Sequence, residues 1–175
     1  MMPATPFNLD RWVEKFRDEL KPPVGNKLLF EEDGMITQII CGPSTRVDFH
    51  DDPVQEFLYQ IKGDMILKVV DDREIKSIRI NEGEVFMLPP HMRHSPQRPV
   101  PGSYGLVVES PRMAGMLYSF EWHYFDCMAC IHRIEVLVNN IVDDLPPYRT
   151  VEAGNMVPKL GILEPANLAV PRSPL

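Results

Sequence analysis

Three residues of metal-ligand type stand at the ends of short strand-like runs in this sequence. His50 closes the run RVDFH, Glu56 opens the run EFLYQI, and His94 follows the turn LPPHMR. Side chains at the ends of neighbouring strands can converge in the interior of a small barrel. Two imidazoles and one carboxylate on one side of a metal leave positions open for a substrate and dioxygen, as in non-heme ferrous oxygenases. Residues of these types at such places are therefore candidate metal ligands.

Each of these residues alone also fits an ordinary structural role. Two acidic residues follow His50, a pattern typical of a solvent-exposed turn, and Glu56 alone suits the surface of a strand. His91 and His94 follow a pair of prolines, which favours a rigid polar turn under any interpretation. No one of these residues therefore indicates metal binding by itself.

The surrounding sequence predicts short strands that would position these side chains. Between residues 27 and 109, turn pairs such as Asp33-Gly34 and Gly63-Asp64 separate the runs LLF, MITQII, EFLYQI, MILKVV, IKSIRI, VFML and YGLVV. Seven or more short strands, with a turn signal about every ten residues, predict an all-β sandwich or barrel rather than an α/β fold. A later run, 133–148, suits a strand followed by a short helix or a loop.

The two ends of the chain differ from this central region. Asn8 as N-cap and the stop Lys21-Pro22-Pro23 predict an amphipathic helix of about three turns. Its apolar residues at helical spacing are Leu9, Trp12, Val13, Phe16 and Leu20. Six prolines after residue 140 predict an extended, Pro-rich C-terminal tail.

Composition limits the class of protein and its partners. The 175 residues suit one domain, with 44% hydrophobic and 25% charged residues. The net charge of −7 argues against nucleic acid or an anionic membrane as the main partner. No run of about eighteen apolar residues predicts a membrane span. The N-terminus lacks the pattern of a secretory signal, and three cysteines form no disulfide framework, so we expect a reduced, cytoplasmic protein.

The spacing of the candidate ligands resembles the two signature motifs of the cupin superfamily, which are small β-barrels with a metal site in the mouth. The two sets are Gly42-x5-Asp48-x-His50-x5-Glu56-x6-Gly63 and Gly83-x5-Pro89-x-His91-x2-His94-x3-Arg98. Asp48 stands where that superfamily has a histidine, and His91 stands where it has glycine, so we give His91 a structural role. The resemblance implies a single cupin-type β-barrel (jelly roll) at 26–112, with an N-terminal helical arm at 1–25 and a C-terminal extension at 113–175 packing on the barrel.

A closer resemblance covers roughly residues 6–147. The segments LKPPVGN, GPSTRVDFHDDPVQEFLYQIKG, LPPHMRHSPQRP and AGMLYSFEW resemble the 3-hydroxyanthranilate 3,4-dioxygenase family. That family uses Fe(2+) and O₂ to cleave the aromatic ring of 3-hydroxyanthranilate, and the product, 2-amino-3-carboxymuconate semialdehyde, closes spontaneously to quinolinate. The resemblance implies the same activity, a small aromatic amino-carboxylate substrate and a homodimer.

The resemblance also implies roles for six residues. They match three iron ligands, two substrate-binding arginines and one active-site acid, which are in that order His50, Glu56, His94, Arg46, Arg98 and Glu109. A guanidinium grips a ring carboxylate in bidentate fashion, and a glutamate at a strand end can accept a proton from the bound amine or phenol. Without the resemblance, the two arginines suit surface salt bridges and the acid suits a solvated strand end.

The cysteines depart from the family pattern. Cys127 and Cys130 have the local spacing of half of a four-cysteine iron site that many relatives carry as a second metal centre. Residues 131–175 contain no cysteine, so we expect this second site to be absent, although a metal shared across a dimer would also suit this spacing. Cys41 falls on a predicted strand and suits a small buried apolar residue.

Two substitutions leave the substrate partly open. Val47 and Phe49 replace a threonine and a tyrosine expected from the family, so the substrate could also be a ring-substituted 3-hydroxyanthranilate or another ortho-aminophenol. A cupin dioxygenase that cleaves the ring of a related catechol fits the same motifs, and so does a non-catalytic cupin that binds a small carboxylate. Tryptophan breakdown, NAD biosynthesis and a specialised pathway all fit such an enzyme.

Overall fold

The computed structural model describes residues 5–21, 25–30, 34–123 and 129–137. The predicted tail, the run after residue 137, Cys127 and the proline stop after Lys21 lie outside these residues. The described elements are α1 Leu9–Lys15, β1 Gly25–Leu28, β2 Ile36–Cys41, β3 Phe49–Asp51, β4 Glu56–Lys62, β5 Met65–Asp71, β6 Glu74–Ile80, β7 Val85–Leu88, β8 His94–Gln97, β9 Tyr104–Glu109, β10 Leu117–His123 and β11 Cys130–Leu137.

The N-terminal helix is present but shorter than predicted. The backbone N of Arg11 donates to Asn8 Oδ1 at 2.9 Å, which confirms the predicted N-cap. The helix ends at Lys15, and turns continue to Leu20, whose side chain is buried against β2 and β9. Leu20, the last residue of the predicted helix, is therefore buried by a non-helical segment and not by a third turn of the helix. No helix among the described residues is long and apolar enough to cross a membrane.

Two antiparallel sheets form the body of the molecule. One has the strand order β1-β2-β9-β4-β7, and the other has the order β11-β10-β3-β8-β5-β6. Residues of both sheets form one apolar core. Its buried residues are Leu58, Met65, Leu67, Val69, Ile80, Leu88 and Val107. The two sheets therefore pack face to face, which confirms the predicted all-β, single cupin-type barrel.

Strand pairing brings the predicted metal ligands toward each other. His50 on β3 is the cross-strand partner of His94 on β8, and Glu56 opens β4 in the facing sheet. The six-stranded sheet continues beyond residue 112, because β10 pairs with β3 and β11 pairs with β10. The division of the chain at residues 25 and 112 stays a prediction.

Candidate metal and substrate site

The structure brings the three predicted metal ligands into one buried cluster. His94 Nε2 lies 3.2 Å from Glu56 Oε1, and the ring centroids of His50 and His94 are 5.3 Å apart. All three side chains are buried. Two imidazoles from one sheet and one carboxylate from the other therefore face each other between the sheets.

Contacts at the outer ring nitrogens orient both imidazoles. The Tyr118 hydroxyl contacts His50 Nδ1, and His94 Nδ1 lies 2.9 Å from the carbonyl oxygen of Met92. In metal sites, the nitrogen that does not bind the metal is usually held in this way, which fixes the ring and the tautomer. A metal bound by these rings would thus contact their Nε2 atoms.

The protonation states suit metal binding. Burial lowers the pKa of His50 to about 3 and that of His94 to about 4, so both imidazoles are neutral. Burial and, next, the charge of Asp52 raise the pKa of Glu56 to about 8. A bound cation opposes that rise because it favours the carboxylate. Neutral imidazoles with a carboxylate form a donor set that fits a divalent first-row metal.

Asp48 occupies the position next to this donor set. Its side chain is fully buried, and its Oδ2 lies 3.4 Å from His50 Nε2. Burial alone opposes ionisation, but the charge of Arg46 and the contact with His50 lower the pKa of Asp48. The ligand atoms of His50, Glu56 and His94 do not all lie within 4.8 Å of one another. Among the described residues, a group that meets this distance lies elsewhere in the fold. A metal held by all three side chains would therefore need the His50 imidazole closer to Glu56 and His94.

Arg46 lies beside the cluster and contacts Asp48 with two nitrogens. The distances are 3.3 Å from Nε to Oδ1 and 2.5 Å from Nη2 to Oδ2. The Arg46 backbone N donates to Gln97 Oε1 at 2.9 Å, which ties this loop to β8. The structure therefore places Arg46 in a largely buried ion pair next to His50, rather than in a surface salt bridge.

Arg98 is a buried cation without an anionic partner in the described residues. It is 2% exposed, no described carboxylate lies within 4 Å of its guanidinium, and its Nε has no described hydrogen-bond acceptor. Burial lowers its pKa to about 10, which still leaves it charged at neutral pH. Burying an unpaired charge is costly. The position is therefore suited to an incoming anion.

A glycine makes room beside Arg98. A Cβ atom at Gly105 would lie 3.2 Å from Arg98 Nη2 and 2.7 Å from Gln60 Oε1. Any larger residue would have to displace one of these buried side chains. Gly105 therefore lets β9 approach the guanidinium closely.

Glu109 is buried and firmly held, unlike a solvated strand end. Gln38 Nε2 donates to its Oε1 at 2.8 Å, and Arg112 Nη2 donates to its Oε2 at 2.5 Å. Its cross-strand partner on β4 is Glu56. Burial and, next, the charge of Glu56 raise the pKa of Glu109 to about 8. Glu109 is therefore a fixed carboxyl group beside that of Glu56.

Sequence reasoning missed Arg112, which links two carboxylates at this site. Its side chain is almost fully buried and contacts both Asp52 and Glu109. Its guanidinium carbon lies 5.4 Å from the ring centroid of Tyr118, which in turn contacts His50. The sequence signal was weak, since an arginine three residues after a strand end belongs to no motif. Its partner Asp52 is 60 positions away.

The substituted residues near His50 lie away from the triad. Phe49 is buried, but its cross-strand partner is Glu121 and its ring packs edge-on against His123, with the centroids 5.8 Å apart. Because successive side chains of a strand alternate between faces, Phe49 lies on the face opposite to His50. Val47 is half exposed. The change at Phe49 therefore does not alter the lining around the triad.

Comparisons with known proteins identify the family of the chain. A family model described as 3-hydroxyanthranilic acid dioxygenase matches residues 1–151, which include all six predicted site residues. A curated 3-hydroxyanthranilate 3,4-dioxygenase from Shewanella woodyi is 47% identical over 163 residues, covering 91% of this chain and 86% of the relative. One from Jannaschia sp. is 51% identical over 141 residues, covering 81% and 78%.

Similarity to solved structures is more distant. Protein NMB1881 from Neisseria meningitidis gives a TM-score of 0.48 at 18% identity, covering 61% of this chain and 99% of that chain. A cupin-2 domain protein from Shewanella frigidimarina also gives 0.48, at 14% identity, covering 59% and 93%.

Proposed function

The chain belongs to the 3-hydroxyanthranilic acid dioxygenase family, and from this we propose that it opens the aromatic ring of 3-hydroxyanthranilate with dioxygen. The observation that carries the proposal is a buried cluster of two neutral imidazoles and a carboxylate, together with the buried guanidinium of Arg98, which has no carboxylate partner among the described residues. His94 and Arg98 are four residues apart on an extended segment, so their side chains share a face. One substrate can therefore reach both the metal ligands and the cation.

Iron(II) is the metal that we assign to His50, Glu56 and His94. When bound, iron supplies coordination positions that bring the ortho-aminophenol and dioxygen side by side. The buried triad keeps water away from this place, and the contacts of Tyr118 and Met92 hold the two imidazoles in the ligating orientation. The metal identity rests on this donor chemistry and on the family.

Arg98 binds the ring carboxylate of the substrate. The buried guanidinium gains a bidentate anionic partner, which offsets the cost of its burial. With the carboxylate fixed there, the hydroxyl and amino groups of the ring point toward the triad, and the bond to be cleaved is oriented. We propose that Arg46 contributes a second positive charge near the same ring carboxylate, while its guanidinium remains close to Asp48.

Glu109 accepts a proton from the substrate. In its ionised form, a carboxyl group held by Gln38 and Arg112, directly across from Glu56, can accept the proton that leaves the hydroxyl or amino group on binding. Both atoms of dioxygen then enter the ring-opened product, 2-amino-3-carboxymuconate semialdehyde. That compound loses water on closing to quinolinate.

Association into homodimers and a cytoplasmic location stay predictions. The edge strand β7 exposes Val85 (59%) and Met87 (54%), and such side chains on a sheet edge favour pairing with a second copy. The molar mass in solution, measured by light scattering, tests the dimer.

The test of the function is a ring-opening assay. The protein is loaded with iron(II) without oxygen, mixed with 3-hydroxyanthranilate, and then exposed to air. We expect absorbance of the muconate semialdehyde to rise and then decay as quinolinate forms. 2-Aminophenol, which lacks the carboxylate, is the matched control and should be a poor substrate. Binding of 3-hydroxyanthranilate without turnover would instead support a non-catalytic, carboxylate-binding cupin.

A further inference from the structure

A second group of metal-ligand side chains lies at the end of the β10–β11 hairpin. A bulge between Trp122 and His123 makes Cys130 the cross-strand partner of His123. Glu121 lies two residues before His123 and so on the same face of β10. One ligand atom from each of Glu121, His123 and Cys130 lies within 4.8 Å of the other two. The bulge therefore brings a carboxylate, an imidazole and a thiol together.

We propose that Glu121, His123 and Cys130 form a second metal site, which binds a divalent cation of the zinc type. Thiolate sulfur, imidazole nitrogen and carboxylate oxygen are the three ligand classes that zinc takes in proteins, commonly three at a time with a fourth position left for water. The donors need little movement, since Glu121 Oε2 and His123 Nε2 are already 2.8 Å apart.

This site is separate from the candidate active site. Glu121 pairs with Phe49 across β3, whereas His50 pairs with Phe120, so the two sets of ligands lie on opposite faces of the six-stranded sheet. It also differs from the four-cysteine centre expected to be absent, because two of its ligands are not cysteines.

The site is open to solvent on the side of Cys130. Glu121 and His123 are buried, whereas Cys130 is exposed. Two ligands are thus held in place by the sheet, and the third faces the solvent from which a cation arrives. A metal bound there would tie the ends of β10 and β11 together across the bulge.

Two arginines compete with a cation for Glu121. Arg93 Nε lies 2.8 Å from Glu121 Oε2, and Arg133 contacts Oε1. Both can withdraw, because their side chains are 43% and 37% exposed. Arg133 also has a second carboxylate at 2.9 Å, that of Glu135, which it keeps after leaving Glu121. A divalent cation can therefore replace both arginines at Glu121, and neither guanidinium is then left buried without a partner.

Cobalt(II) is the probe that distinguishes this site from the triad. A thiolate bound to cobalt gives a charge-transfer band in the near ultraviolet, and the triad contains no sulfur that could produce it. We expect the reduced, full-length protein to develop this band on cobalt titration and to lose it when zinc is added. Cys130→Ser should abolish the band, and His123→Gln should weaken cobalt binding by at least about tenfold.

The matched control is Cys41→Ser, which alters a buried thiol on β2 and should keep the band. Arg133→Gln removes a competitor and should tighten cobalt binding severalfold. The proposal is overturned if the wild-type protein gives no band, if the band survives in Cys130→Ser, or if zinc does not displace cobalt. The band reports on a thiolate alone, so these outcomes do not depend on ring-opening activity.

Discussion

Glu56 and Glu109 lie directly opposite each other on β4 and β9, with both carboxyl groups buried. Two facing carboxylates in a dry interior repel each other unless cations lie close to both. Arg112 contacts Glu109, and His94 lies against Glu56, where the metal is proposed to bind. The proposed site is therefore organised by charge balance: one carboxylate is matched to an arginine, and the other would be matched to the metal.

The first prediction concerns Arg112, which also contacts Asp52. Arg112→Met leaves two buried carboxylates without their shared cation, and breaking such a pair costs about 3–5 kcal/mol. We expect the free energy of unfolding in urea to fall by an amount of this order. Arg79→Met, which breaks the exposed pair with Asp64, is the matched control and should cost below about 1 kcal/mol.

A second change isolates the electrostatic part of that loss. Adding Asp52→Asn to Arg112→Met removes one of the stranded charges, so the double variant should regain part of the stability. An Arg112→Met protein as stable as the wild type would show that the two contacts contribute nothing to folding.

The clustering of the three triad residues could be predicted from the sequence because each lies within a motif of short, fixed spacing. His50 and Glu56 are six residues apart, and each stands at an end of a recognisable strand. The partners that hold the site are Gln38, Asp52, Arg112 and Tyr118. Their contacts join positions 60 to 71 residues apart, which the pairing of distant strands brings close together. No local pattern encodes such pairings.

The same limit applies at other places in the fold. The helix was predicted too long, because apolar spacing through Leu20 does not distinguish a third helical turn from a buried turn. The meeting of Cys130 with His123 depends on a bulge, and one residue of register decides which side chains share a face.

The second prediction concerns substrate binding at Arg98. Arg98→Ala removes the proposed partner of the ring carboxylate, so we expect KM for 3-hydroxyanthranilate to rise at least about tenfold, in line with the loss of a charged hydrogen bond. Steady-state kinetics measure this, with exposed Arg17→Ala as the control. 2-Aminophenol should be turned over equally by both variants. An unchanged KM in Arg98→Ala would rule out the carboxylate role.

The third prediction concerns proton transfer by Glu109. Glu109→Gln keeps the size of the side chain but cannot accept a proton, so kcat should fall by about 10²–10⁴-fold, the usual contribution of a general base. KM should change much less. Glu74→Gln on β6 is exposed and serves as the control. A variant with near-normal kcat would remove Glu109 from the reaction.

The fourth prediction concerns Tyr118, whose hydroxyl contacts His50 Nδ1. Tyr118→Phe frees the imidazole to rotate, and loss of such an outer contact weakens metal affinity by about 10–100-fold. Competition with a chelator measures the iron affinity. Tyr59→Phe, on the outer part of β4, should leave that affinity unchanged. Equal affinities in the two variants would mean that the hydroxyl does not orient His50.

The most direct test measures iron content and ring opening on the same samples of wild type, Glu56→Ala and the exposed control Glu74→Ala. We expect wild type and control to retain an iron that turns 3-hydroxyanthranilate into the absorbing semialdehyde, and Glu56→Ala to lose both the iron and the product. Ring opening at the wild-type rate in Glu56→Ala would contradict a metal centre built on His50, Glu56 and His94.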